Sequence, residues 1–109
     1  MSGGVVRHAM VVRLRPGLEE RYAELHRAPW PDVLAALREH GIRNFTIFRR
    51  RDVLFGYYEF SGEDRLAALE SLGRLPVMRQ WDELMTGLQQ GFDDGDAGWS
   101  TLEELWHTD

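Results

Sequence analysis

Two residues of this chain, Tyr22 and His26, combine reactive chemistry with an informative spacing. They stand four apart in an Arg- and Glu-rich segment of helical period, so they project from one helix face, one turn from each other. Imidazole titrates closest to neutral pH, which suits His26 to general acid and base work, while a phenol beside it could orient a substrate oxygen. The same spacing also describes a face turned to the core, with Tyr22 a packed aromatic and His26 a hydrogen-bonded helix residue.

Other chemistries find no support. His8, His40 and His107 form no HxH or HExxH pair with one another or with His26, so no metal site is expected. Asp93-Asp94-Gly95-Asp96 is rich in acids but fits no register of a calcium loop and reads as a solvated turn. There is no GxGxxG, GxxxxGK[ST] or GxSxG motif, which removes dinucleotide, P-loop and serine-hydrolase readings. The chain has no cysteine, which excludes disulfides, thiolate metal sites and thiol nucleophiles. No cofactor is expected.

Composition sets the frame for that site. A chain of 109 residues, 43% hydrophobic and 28% charged, holds one core and one domain over residues 1–109. Its net charge of -5 argues against nucleic acid or an anionic membrane as partner and favours a small molecule. No apolar run approaches the roughly 20 residues of a membrane span. Met1-Ser2-Gly3-Gly4 leads into Val5-Val6 without the apolar segment of a signal peptide, and the cytoplasm is the simplest compartment.

The elements that must position Tyr22 and His26 follow from periodicity. Val5 to Leu14 alternates with period two, placing Val6, His8, Met10, Val12 and Leu14 on one face of a strand. A helix starts near Leu18, is interrupted by Pro29 and Pro31, and resumes through Val33, Leu34 and Leu37 to a left-handed cap at Gly41. Ile42 to Phe48 and Val53 to Phe60 form a hairpin. Helices follow over Leu66 to Gly73 and Pro76 to Leu88, then a loop from Gly91 to Gly98 and a last strand from Trp99 to Trp106. The order β-α-β-β-α-β predicts an α+β, ferredoxin-like sandwich with helices on one face of an antiparallel sheet. Tyr57, Phe55, Val53 and Met10 are expected on the opposite face, where a second copy of the chain would cover them in a homodimer.

The segment from Tyr22 through His26 to Trp30-Pro31 resembles the Tyr-x-x-x-His-x-x-x-Trp-Pro signature of the L-rhamnose mutarotases. His40-Gly41-Ile42-Arg43-Asn44-Phe45-Thr46-Ile47-Phe48 is similar to a strand of that family, and Leu54-Phe55-Gly56-Tyr57-Tyr58-Glu59 to the next. Trp81, Met85 and Thr86 match a helix that carries paired tryptophans, and Leu102-Glu103-Glu104-Leu105-Trp106 resembles the acidic-hydrophobic end. The resemblance covers Val6 to Trp106.

It implies a dimeric α+β barrel that interconverts the α and β anomers of a free monosaccharide, with His26 as proton donor and Tyr22 and Trp81 as sugar contacts. Two further contact positions differ: the family's strand tyrosine is Phe45 here, and the second tryptophan of its pair is Asp82. Both changes alter hydrogen-bonding capacity and point to a changed substrate. Trp30 and Trp81 could stack on the apolar face of a sugar. The acid would serve the ring oxygen, and Asp82, water or the same imidazole would serve as base. Two other readings stay open: a cyclase or isomerase acting on a biosynthetic intermediate, and a carbohydrate-binding module without catalysis.

Overall fold

Side-chain alternation makes the first strand the hub of the molecule. The computed structural model describes residues 5–109; Met1 to Gly4, the lead-in considered above, lie outside the described residues. Strand β1 (Val6–Leu14) is followed by helices α1 (Glu19–Arg27) and α2 (Pro31–Glu39) and the hairpin β2 (Ile42–Arg50) and β3 (Val53–Phe60). Helices α3 (Arg65–Gly73) and α4 (Pro76–Thr86) lead to the short strands β4 (Gln89–Gln90) and β5 (Ser100–Leu102). The antiparallel sheet runs β2-β3-β1-β4, and β5 also pairs with β1. This is the expected ferredoxin-like α+β order.

Local chemistry explains the boundaries. Pro31 and Pro76 open α2 and α4, where a missing backbone donor costs nothing. The carboxylate of Asp64 accepts from the Ala67 backbone N–H at 3.0 Å and caps α3. Gly41, at φ 84°, ends α2 in the left-handed region, and its carbonyl accepts from Ser61 N–H at 2.9 Å.

The core lies between the helices and one sheet face. Val12 stands opposite Leu54, and these two side chains with Leu14 are the most fully buried. They pack with Tyr22, Val33, Ala36, Leu72, Met78, Trp81 and Met85 from the helices. Met10 belongs to this core, opposite Gly56, and not to the far face as expected. The cause is parity: Met10 shares its face with Val12, whereas Phe55 and Tyr57 pair with Val11 and Ala9. That far face leaves Phe48 61% and Phe55 41% exposed.

Two departures from the periodic reading concern the last strand and the hairpin. The closing strand is confined to Ser100–Leu102, and Leu105 and Trp106 beyond it are exposed. The two residues Gln89–Gln90 form the other part of that edge, after α4 stops at Thr86. In the hairpin, Arg43 pairs with Glu59 but Thr46 pairs with Tyr57, so Asn44 and Phe45 together oppose Tyr58. This is a β-bulge, and Asn44 takes it up at φ 52°, a conformation its short polar side chain tolerates.

A Cβ added at Gly41 would strike the carbonyl oxygen of Ser61, whereas one at Gly17, at φ 81°, meets open space. Gly41→Ala is therefore expected to cost about 2–3 kcal/mol and Gly17→Ala about 1–2 kcal/mol, read from urea unfolding midpoints.

Candidate active site

The far end of the helix-covered sheet face is not filled by side chains. Between sheet and helices lies a cavity of about 670 Å³, a volume typical of small-molecule sites. Its helix wall carries Tyr22, His26, Trp81 and Asp82, and its sheet wall carries His8, Phe45 and Tyr58.

Helix α1 makes the first wall by its period. Tyr22 and His26 lie ring on ring, 4.1 Å between centroids and 21° between planes. Trp81 and His26 meet in a T-shaped pair with 5.5 Å between ring centroids, and Trp30 meets Trp81 at 5.0 Å and 74°. Nδ1 of His26 lies 2.8 Å from the Tyr22 carbonyl oxygen. A carbonyl can only accept, so Nδ1 carries a hydrogen, and the proton that comes and goes belongs to Nε2. Nε2 has no protein partner among the described residues. Burial lowers the pKa of His26, and the hydrogen bond to Tyr22 partly offsets this. Burial pushes the Tyr22 phenol up to about 12, against a smaller opposing effect of Gln89, whose side-chain amide donates to the Tyr22 oxygen at 3.2 Å.

The second wall depends on the bulge. Had the register of Arg43 and Glu59 continued, Phe45 would share the far face with Tyr57; the extra residue turns it toward Tyr58, 5.7 Å between ring centroids. Asn44 is held by donating to Glu59 at 2.8 Å, and Glu59 also accepts from the Tyr57 hydroxyl at 3.0 Å. His8 lies 4.9 Å from the Tyr58 ring, and Arg65 donates to the Tyr58 oxygen at 3.1 Å. Burial, and then the positive charge of Arg65, lower the pKa of His8.

Five of the six residues singled out from the sequence thus meet at one cavity: Tyr22, His26, Phe45, Trp81 and Asp82. Asp82 stands at the rim, where partial desolvation raises its carboxyl pKa. Trp30 is not among the lining residues; it stands behind Trp81 and backs it. The sequence reading passed over His8, Tyr58, Arg65, Gln89 and Trp99 as lining residues. The alternation of β1 put His8 on the face of Met10 and Val12, which was the available signal. Among the described residues no group of three or more His, Asp and Glu side chains could hold a metal ion, and no helix is long and apolar enough to cross a membrane.

Two solved structures share this shape. An L-rhamnose mutarotase from Formosa agariphila superposes with a TM-score of 0.73 over 95% of this chain and 99% of its own, at 24% identity. Tetracenomycin F2 cyclase from Streptomyces glaucescens, a type-II polyketide cyclase, does so with a TM-score of 0.69 over 95% and 99%, at 18% identity. At such identities they define the fold class, a small ferredoxin-like α+β domain. Sequence goes further. The family model for L-rhamnose mutarotase matches residues 7–108. The L-rhamnose mutarotases of Shigella flexneri and Escherichia coli K12 are each 30% identical over 105 residues, covering 94% of this chain and 98% of their own. The chain belongs to the L-rhamnose mutarotase family and is an isomerase-class enzyme.

The depressed histidines give a pH test. Between the folded pKa values of His8 and His26 and the unfolded value of 6.5, the unfolded chain binds more protons. Their effect is nil above this window, and stability is lost as pH falls through it. Asp82, with its raised pKa, acts in the opposite direction. Urea midpoints taken from about pH 7 to about pH 5 should therefore fall less steeply for His26→Gln than for the natural chain. Equal slopes would mean that His26 titrates alike in both states.

Proposed function

We propose that this protein interconverts the α and β anomers of a rhamnose-type reducing sugar, with Nε2 of His26 as the proton-transfer atom. The observation that carries this is the imidazole held by the Tyr22 carbonyl and the Tyr22 ring, with only Nε2 left to face a small-molecule cavity. Protonated Nε2 gives its hydrogen to the ring oxygen as the C1–O5 bond breaks. The anomeric hydroxyl loses its proton as C1 becomes a carbonyl, and the neutral imidazole can take that proton back. Rotation about the freed C1–C2 bond and reversal of the same transfers close the ring on the other face. No proton is consumed over the cycle.

Surrounding groups fit this use. The lowered pKa of His26 makes its protonated form a readier proton donor and does not hold the ring as imidazolium. Tyr22, kept neutral by burial, offers a hydrogen-bonding oxygen one turn away, and Trp81 offers an aromatic edge and face for apolar sugar carbons. Phe45 and Asp82 replace contacts implied by the family resemblance, so the sugar that fits best differs from L-rhamnose in its hydroxyl pattern, and L-rhamnose itself is bound and exchanged less well than that sugar.

His26→Gln keeps the size of the side chain but removes proton transfer, and should lower the rate by about 10²- to 10⁴-fold. Magnetisation transfer between the anomer signals of reducing sugars, L-rhamnose first, measures it. Near-natural exchange by the variant would move proton transfer to another group.

We also propose a homodimer joined across the far sheet face. Phe48 and Phe55 there, and Leu102 at its edge, form an apolar surface that water disfavours. Light scattering at micromolar concentration should give twice the mass of one chain, and a monomer would end this part of the proposal.

A further inference from the structure

Tyr58 brings to the sheet wall a hydroxyl that the chemistry of His26 leaves unused. A phenol has one hydrogen to donate and lone pairs that accept, whereas a guanidinium only donates. Arg65 fills the accepting side of Tyr58 at 3.1 Å. The phenolic hydrogen must then point elsewhere, and no protein acceptor lies within reach of it among the described residues. Tyr58 is only 5% exposed, its ring set between His8 and Phe45, and it lines the cavity. Phe45, its neighbour on that wall, has no polar atom to offer. Arg65 forms no ion pair with a carboxylate among the described residues, and the hydrogen bond its guanidinium makes there is the one to the Tyr58 oxygen.

The arrangement has a counterpart across the cavity. There the Gln89 amide donates to the Tyr22 oxygen at 3.2 Å, which likewise leaves the Tyr22 hydrogen without a protein acceptor among the described residues. Two buried phenols on opposite walls each accept a hydrogen bond from a protein side chain. A ligand with oxygen acceptors on both of its faces, as a pyranose has, matches that pair.

We propose that Tyr58 donates its hydroxyl hydrogen to an oxygen of the bound sugar, and that Arg65 is the positioning residue that aims it. This rests on the sugar reading given above. Tyr58→Phe removes the hydrogen bond and keeps the ring, so it should weaken L-rhamnose binding, read by calorimetry, about 5- to 10-fold, and lower kcat/KM by a similar factor. Arg65→Gln should weaken binding in the natural background and not in the Tyr58→Phe background, because its effect passes through the hydroxyl. Arg65→Lys, which keeps a donor, should restore part of the loss. Additive losses, or a Tyr58→Phe variant that binds and exchanges L-rhamnose like the natural chain, would overturn the proposal while the His26 reading stands. If the natural chain binds L-rhamnose without accelerating exchange, the mutarotase reading falls and the affinities alone decide Tyr58. A natural chain that does not bind the sugar overturns both.

Discussion

The pairing of β1 with β3 is the constraint on which the rest of the molecule depends. One register runs through the pair, from Val6 opposite Phe60 to Arg13 opposite Val53. Because side chains alternate strictly across a strand, that register settles at once which residues meet the helices. At one end of the face it assembles Val12, Leu14 and Leu54, which close the core. At the other it assembles His8 and Tyr58, whose polar atoms cannot be closed in without partners, and the cavity lies there. Core and cavity are two ends of one surface. Gly56 separates them: a side chain at this position would collide with Met10 and with the ring of Trp99.

The helix wall shows how packing prepares a group for chemistry. Stacking on Tyr22 and edge contact with Trp81 fix the imidazole plane of His26, and the backbone carbonyl fixes which nitrogen holds its hydrogen. Desolvation then tunes its proton affinity downward. Each of these comes from a residue whose first duty is structural, Tyr22 and Trp81 being members of the hydrophobic core. Trp30 extends the same cluster outward, which explains why the Trp-Pro pair follows the histidine so closely: the tryptophan backs Trp81 and the proline starts α2.

Periodicity made much of this legible. The alternation of β1, the helical spacing of Tyr22 and His26, and the prolines at helix starts all translate directly into the observed elements. What escaped was whatever depends on an interruption of a period or on contacts across long stretches of chain. Gln89 reaches Tyr22 across sixty-seven positions, and nothing local marks it. The last strand reads as one run from Trp99 to Trp106 because Leu102, Leu105 and Trp106 look like strand residues, yet β1 offers that edge only three partners beside β5. Met10 was assigned to the far face by its apolar character, although the parity of its own strand excluded it. The proton-transfer role proposed for His26 was legible only through family resemblance, since its spacing alone fits an ordinary core helix equally well.

The bulge at Asn44 and Phe45 carries a consequence for how such a site can change over time. Upstream of it β2 keeps one register with β3, and downstream another, offset by a single residue. Loss of one residue there would merge the two registers and carry the Phe45 position out of the cavity, with no change to any catalytic side chain. The composition of the sheet wall is thus editable by chain length as well as by residue identity. In this fold an insertion or deletion of one codon is a route to new ligand preference that point substitution does not offer.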